Sequence, residues 1–160
     1  MSFLVVFVPY IMSLFTNMAC SMVKNAGTNV KARPPEYVFG IAWTILYAMI
    51  GISWFITRAS DPNKFMGIKV SDLLYIANQV SINAWLYYYN CKDDKKMALY
   101  TYLPAIATTI AIIFYNIIFQ KYWWTYLLLI PYFVWLLFAQ QLSFHEIEKT
   151  NNITSSNTYF

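Results

Sequence analysis

Long apolar runs broken by short polar segments occupy nearly the whole chain. A helix that crosses a bilayer needs about 20 mostly apolar residues. Five stretches have that character: Phe3–Val23, Tyr37–Thr57, Asp72–Tyr89, Met97–Phe119 and Trp123–Phe144. The pattern predicts an all-α fold, an integral membrane bundle of five transmembrane helices over residues 1–144. A polar, loose tail is expected at 145–160. Helices are the default for such spans because backbone groups in hydrocarbon must be satisfied internally. The third span is the most polar, carrying Asn78, Gln79, Ser81 and Asn83. Pro9, Pro104 and Pro131 fall inside predicted spans and mark candidate kinks. Ser71 and Asp72 resemble the N-cap of the third helix.

Composition sharpens this picture. Of 160 residues, 59% are apolar and 11% charged, and 18 charged side chains cannot cover a soluble domain of this size. Aromatic residues reach 20%, with 6 Trp and 14 Tyr, which suits interfacial belts and pocket walls. The net charge of +4 is scattered between hydrophobic runs, so no nucleic-acid surface is expected. Phe3–Val23 lacks the basic start and small-residue cleavage site of a leader and is taken as a first span. Lys24, Lys31, Arg33, Lys92, Lys95, Lys96 and Lys149 lie on one side of the predicted topology. Arg58, Lys64, Lys69 and Lys121 lie on the other. The richer side should be cytoplasmic, which puts the C-terminus and the 24–36 loop there. Cys20 and Cys91 are too few for a metal site or disulfide framework and are expected to act as small apolar filler.

Polar groups within spans tend to face the bundle interior. Gln79 and Asn83, four apart, share a face of the third helix, to contact either a ligand or a neighbouring helix. Trp43, Tyr47, Ile50 and Trp54 form one stripe on the second helix, and Pro131, Trp135, Phe138, Ala139 and Leu142 another on the fifth. At 1.5 Å rise per residue, Trp43 and Asn83 lie about 9 Å from the ends of their helices and Trp135 about 13 Å. Two indoles and one amide from three helices thus reach similar depth. This is the form of a small-molecule pocket in the half of the bundle nearer the 24–36 loop. His145 is the single histidine and lies beyond the fifth span, so no catalytic set, no metal site and no required cofactor can be read.

Pro34-Pro35-Glu36-Tyr37-Val38-Phe39-Gly40 followed by Trp43-Thr44-Ile45-Leu46-Tyr47-Ala48-Met49-Ile50-Gly51 resembles the PPxWVFxxxWTxLYxxMG signature of the tryptophan-rich sensory protein family. Its mitochondrial members are the translocator proteins, once called peripheral benzodiazepine receptors. Gln79-Val80-Ser81-Ile82-Asn83 is similar to the family's QLxLN, and Pro131-Tyr132-Phe133-Val134-Trp135-Leu136-Leu137-Phe138-Ala139, with Leu142, to its PYLxWxxFAxxLN. The matches come in the family's order and cover nearly the whole chain. There are departures. Tyr37 replaces Trp, and Lys31 replaces the Trp three residues before the first proline. Trp85 follows Asn83 by two positions where the family's Trp follows by three, a rotation of about 100°. Ser143, Phe144 and Glu148 replace Asn, Tyr and Arg, so the family's sterol motif lacks its Tyr and tight sterol binding is not expected.

The resemblance implies a five-helix bundle, often a homodimer, that binds porphyrins such as protoporphyrin IX, and in some members sterols or synthetic benzodiazepine ligands. Trp43, Asn83, Trp135, Phe138 and Ala139 match the family's pocket positions; Tyr47 and Leu142 join them from the stripes. Lys24, Lys31 and Arg33, with Pro34 and Pro35, would form the mouth, where the cations could meet propionates. The expected function is therefore a membrane receptor or carrier for a tetrapyrrole or another flat hydrophobic molecule. One alternative is a light-dependent porphyrin-degrading protein with Trp43 and Trp135 as electron donors. Another is a sterol-binding or signalling subunit. The host membrane would be the mitochondrial outer membrane in a eukaryote and the cell membrane in a bacterium.

Overall fold

The computed structural model describes residues 3–19, 33–120 and 122–156, without the side chains of 36 and 148–156. A 3-10 turn at Phe3–Phe7 leads into α1 (Val8–Met18). Then come α2 (Glu36–Ser60), a hairpin of β1 (Lys64–Phe65) and β2 (Ile68–Lys69), and α3 (Val70–Leu86), which runs into a π-helical turn at Tyr87–Cys91. α4 (Lys95–Phe119), the short α5 (Trp124–Leu127) and α6 (Ile130–Ser156) complete the chain. Contacts close a ring in the order α1, α2, α6, α4, α3, with α3 packed most extensively on α4.

Among the described residues, three helices are long and apolar enough to cross a membrane alone: Tyr37–Ser60, Lys95–Phe119 and Trp124–Ile147. Phe3–Met18 is apolar but shorter. α3, at 17 residues, is shorter and more polar than those three; it turns Tyr75, Asn78, Gln79 and Ile82, at most 1% exposed, to the interior and leaves Leu73, Ile76 and Val80 exposed on its outer face. Several expected boundaries move for local reasons. α3 begins at Val70, two residues earlier than expected, so Asp72 does not cap it. Its carboxylate accepts from Trp54 Nε1 at 2.8 Å and pairs with Arg58 at 3.2 Å. The fifth span is broken at 128–129, and Pro131 sits in the first turn of α6, where its missing N–H leaves no bond unmade. Pro9 likewise stands in the first turn of α1, whereas Pro104 is inside α4. The tail is not loose throughout, since α6 continues to Ser156. Cys91 is disulfide-bonded, so it is not mere filler. The hairpin, which no apolar pattern announced, turns at Met66 (φ 50°) and Gly67 (φ 81°). Positive φ at both central residues is the geometry of a tight two-residue hairpin turn.

The N-terminal turn lies hard against α2. A Cβ on Gly51 would fall 2.2 Å from the Val6 carbonyl oxygen. Gly51→Ala should therefore cost about 1–3 kcal/mol through overpacking, seen as a lowered thermal midpoint in detergent; an unchanged midpoint would show that Val6 moves freely.

At the hairpin end, Asp61 is 6% exposed and follows the last turn of α2. It accepts hydrogen bonds from the Asn63 amide at 2.9 Å, Tyr115 Oη at 2.5 Å and the Ser71 amide at 2.9 Å. Burial opposes its charge, but hydrogen bonds from Ser71, Tyr115 and the Asn63 amide outweigh it and hold the carboxyl below the usual aspartate range. The stabilisation is complete above the unfolded value of about 3.9 and is lost as pH falls through the lowered folded value. Thermal midpoints from about pH 5 down to 2 should fall for the parent and fall less for Asp61→Asn. Parallel curves would assign the acid sensitivity elsewhere.

Candidate ligand-binding site

A cavity of about 570 Å³ opens between α1, α2, the C-terminal end of α3 and α6. From α1 it is lined by Tyr10, Ser13, Leu14 and Asn17, and from α2 by Phe39, Gly40, Trp43, Thr44 and Tyr47. Trp85, Leu86, Tyr89 and Asn90 contribute from α3 and its π turn, and Ala139, Leu142 and Ser143 from α6; Arg33 sits at the rim. This volume falls within the usual range for small-molecule sites, roughly 300–1,000 Å³.

The wall is aromatic because α2 repeats its large rings at helical spacing. Trp43 lies 5.3 Å from the Tyr47 ring, 6.0 Å from Trp85, 6.3 Å from Tyr132 and 6.4 Å from Trp135, centroid to centroid. Trp85 continues the wall to Tyr89 at 5.4 Å and to Tyr102 at 5.2 Å. The π turn matters here. Lys92 N bonds Tyr87 O at 3.2 Å, an i to i−5 link, and in this turn the successive residues Tyr89 and Asn90 both line the cavity.

Trp43, Tyr47, Ala139, Leu142 and Arg33 line the cavity, whereas Asn83, Trp135, Phe138, Pro34 and Pro35 do not. Asn83 is turned inward to the helices. Its Nδ2 donates to Gln79 O at 2.8 Å, and its Oδ1 accepts from Thr16 Oγ1 at 2.7 Å. It thus ties α1 to α3, the second of the two roles its position allowed. Trp135 stands behind the wall, 5.5 Å from Phe39 and 5.4 Å from Phe138, and supports Trp43 from the rear. Pro35 precedes α2 as its N-cap residue. Lys24 and Lys31 lie outside the described residues. The stripes alone did not reveal Trp85 and Tyr89. Trp85's shift by one position was a signal, since it turns the indole around α3.

An aromatic cavity inside a bundle of apolar helices gives an integral membrane protein with a candidate small-molecule site. The comparisons with known proteins agree with that class. The chain belongs to the TspO/MBR family, whose pattern matches residues 1–146. It is 31% identical over 112 residues to the tryptophan-rich protein TspO of Archaeoglobus fulgidus, covering 69% of each chain. It is 30% identical over 121 residues to the translocator protein homolog of Schizosaccharomyces pombe, covering 71% of this chain and 68% of that protein.

Two substitutions separate packing from binding. A Cβ on Gly40 would meet nothing within 4 Å. Gly40→Leu should thus raise helix stability by up to about 1 kcal/mol while obstructing the cavity, so a titrated ligand should bind at least several-fold more weakly; undiminished binding would place the ligand elsewhere. Asn83→Ala and Thr16→Val should each cost about 1 kcal/mol in stability. Their effects should be non-additive in a double-mutant cycle read by unfolding, with affinity little changed. Simple additivity would mean that the bond contributes nothing.

Proposed function

We propose that this protein is a membrane receptor or carrier for a flat tetrapyrrole of the protoporphyrin class. The observation that carries the reading is the continuous wall of Trp43, Tyr47, Trp85 and Tyr89 along one cavity. Faces of this kind stack on extended conjugated rings, each contact contributing about 0.5–1.5 kcal/mol beyond the area it buries. Other flat hydrophobic molecules fit the same wall. No resident cofactor is required in this reading, and the porphyrin is ligand. Sterol is a poorer candidate, because Phe144 and Glu148 stand where the sterol motif needs Tyr and Arg. A homodimer in the bilayer is part of the proposal, resting on the family resemblance.

Photodegradation of the bound porphyrin is a second reading, favoured by one feature. Trp43 has the indoles of Trp85 and Trp135 at 6.0 and 6.4 Å, so an electron lost to an excited ligand could be replaced from a neighbouring ring. Illumination that bleaches bound protoporphyrin in the parent and not in Trp43→Phe would select this reading.

The distribution of Lys and Arg supports a cytoplasmic cavity end and C-terminus. One observation favours the reverse, since disulfides such as that at Cys91 form mainly in oxidising compartments. Labelling a cysteine-tagged C-terminus from each side of intact membranes decides between them.

Binding is tested by absorbance titration of protoporphyrin IX onto the purified protein in detergent. Trp43→Ala should weaken it by about 1–3 kcal/mol, and Trp135→Ala by less, because Trp135 does not line the cavity. Trp54→Ala is the control. That ring stacks on Tyr75 at 5.4 Å, towards the hairpin end. Its loss should lower stability and leave affinity unchanged. Parent-like affinity for Trp43→Ala would sink the stacking site.

A further inference from the structure

The ring contacts around Trp43 do not all lead to the same chemistry. Trp43 meets Trp85 at 6.0 Å and Trp135 at 6.4 Å, centroid to centroid. The Trp135 branch continues to Phe39 and Phe138, rings too hard to oxidise to pass an electron vacancy on. The Trp85 branch reaches two tyrosines, Tyr102 at 5.2 Å and Tyr89 at 5.4 Å. A tyrosine gives up an electron readily only where a base takes its hydroxyl proton, because a phenol that has lost an electron is a very strong acid. The partner of each hydroxyl therefore decides which ring can end such a path.

Tyr47 and Tyr132 also stand against Trp43. The hydroxyl of Tyr47 has that of Ser13 as its partner, and Tyr132 donates to the Asn78 carboxamide at 3.0 Å. Tyr102 Oη is buried without a hydrogen-bond partner. None of these three has a proton acceptor of a carboxylate's strength. Tyr89 has one, since its hydroxyl donates to Glu146 Oε2 at 2.6 Å while accepting from Arg33 Nη1 at 2.9 Å. A bond this short to a carboxylate is charge-assisted. Glu146 is 8% exposed, and Lys95 lies 3.7 Å from it and 2.9 Å from Asp93. At rest the proton stays on the phenol, the weaker acid of the two groups; loss of an electron inverts that order. Trp85 adds a second condition. Its Nε1 is buried with no hydrogen-bond partner, so an oxidised indole there has no acceptor for its own proton and keeps its oxidising strength.

We propose that Trp85 and Tyr89, with Glu146 as proton acceptor, form a relay that carries an electron vacancy from Trp43 to the rim of the cavity. The oxidant is a photoexcited conjugated molecule seated against Trp43. It takes one electron from Trp43 and becomes a radical anion. Trp43 is refilled by one electron from Trp85, and Trp85 by one from Tyr89. As Tyr89 loses that electron its hydroxyl proton passes to Glu146 Oε2, which leaves a neutral tyrosyl radical and a neutral carboxylic acid. One electron leaves the protein, one proton moves within it, and no other bond is made or broken. Lys95 keeps Asp93 as its counter-ion when Glu146 is neutral. The relay draws the vacancy away from the ring that touches the ligand and so slows the return of the electron. The inference deepens the photochemical reading and rests on a conjugated molecule reaching Trp43, whether or not that molecule is a tetrapyrrole.

The test places the oxidant by a tether, so that it assumes no ligand affinity. Gly40 lines the cavity three residues before Trp43, and a Cβ built there meets nothing within 4 Å. A thiol-reactive flavin, whose excited state oxidises indoles, is attached to Gly40→Cys and flashed with blue light. The unsubstituted protein, treated identically, is the labelling blank. Radicals are identified by transient absorption and, after freezing, by electron paramagnetic resonance, with folding checked by circular dichroism. A tyrosyl radical is expected, and Tyr89→Phe should lower its yield several-fold and leave a tryptophanyl radical in its place. Glu146→Gln keeps a hydrogen-bond acceptor but removes the base, and should also lower the tyrosyl yield several-fold; Glu146→Asp should restore part of it. Trp85→Phe should lower it too, and Tyr102→Phe should not. A tyrosyl yield unmoved by Tyr89→Phe or by Glu146→Gln overturns the relay. Excited flavin that decays without any protein radical overturns it as well. Protoporphyrin IX added to the unlabelled parent and flashed in the same way separates the relay from the reading it deepens. A Tyr89-dependent radical from both oxidants supports the two together, whereas one from flavin with none from protoporphyrin supports the relay and removes tetrapyrrole photodegradation.

Discussion

Asn78 donates to the Ala105 carbonyl at 2.9 Å and to the hydroxyls of Thr108 and Thr109 at 3.0 and 2.9 Å, while its own Oδ1 accepts from Tyr132 at 3.0 Å. One carboxamide thereby joins α3, α4 and α6 in the interior of the bundle. Such a group cannot be left facing hydrocarbon, where an unmade hydrogen bond costs several kcal/mol. A turn away on the same helix, Tyr75 meets Ser53 at 2.7 Å, Thr57 at 3.3 Å and Asn116 at 3.3 Å, which adds α2 to the same tie. The need to satisfy α3 thus sets the arrangement of the ring. α4 covers its polar face because α4 supplies the threonines, and α6 approaches where Tyr132 can reach.

The two ends of the bundle follow from how these groups are distributed. Towards the hairpin, polar side chains find one another: Asp72 with Trp54 and Arg58, Asp61 with Tyr115 and Asn63, Thr57 with Asn116 at 3.0 Å. Packing there is dense and directional, and Trp54 is consumed by it. Towards the other end, α2 and α3 present Trp43, Tyr47, Trp85 and Tyr89, whose bulky rings span the gap between helices without closing it. Bulky flat groups that pack edge and face against one another leave a slot, and small residues, Gly40, Ala139, Ser13 and Ser143, line it alongside them. The cavity is therefore a product of side-chain size as much as of helix placement.

Much of this was legible in the residues, for identifiable reasons. Hydrophobic run length locates the helices, since the apolar requirement of a bilayer is written in consecutive residues. The identity of the aromatic stripe on α2 was equally plain, and Trp43 and Tyr47 do face the cavity. What did not show was anything set by contact between distant segments. Asn83 was as suited to a ligand as to a helix, and only the approach of Thr16, 67 positions away, turns it to the latter. Trp135 shares its helix face with Ala139, yet it packs on Phe39 and Trp43 and does not itself line the cavity. Tyr89 joins the site through a π turn, a departure of backbone register that no count of apolar positions registers. Arg33 was expected at the rim from its place in the chain, but its bond to Tyr89 needed the end of α3 to arrive there.

The way Trp43 is held bears on what the cavity can do. Rings of Tyr47, Trp85, Tyr132 and Trp135 surround it on several sides, drawn from α2, α3 and α6. A side chain fixed in this manner has already lost its rotamer freedom in the unliganded protein, so a stacking ligand need not supply that ordering again. Part of the wall comes from rigid elements and part from the rim, where Arg33 lies on the segment before α2 and reaches Tyr89 through a single hydrogen bond. Affinity should then divide accordingly: the aromatic wall sets a broad tolerance for flat molecules, because every conjugated ring has a face to offer. The rim differs from the wall in carrying the one cationic side chain among the described lining residues, Arg33. A cavity built this way presents shape along its wall and charge at its rim.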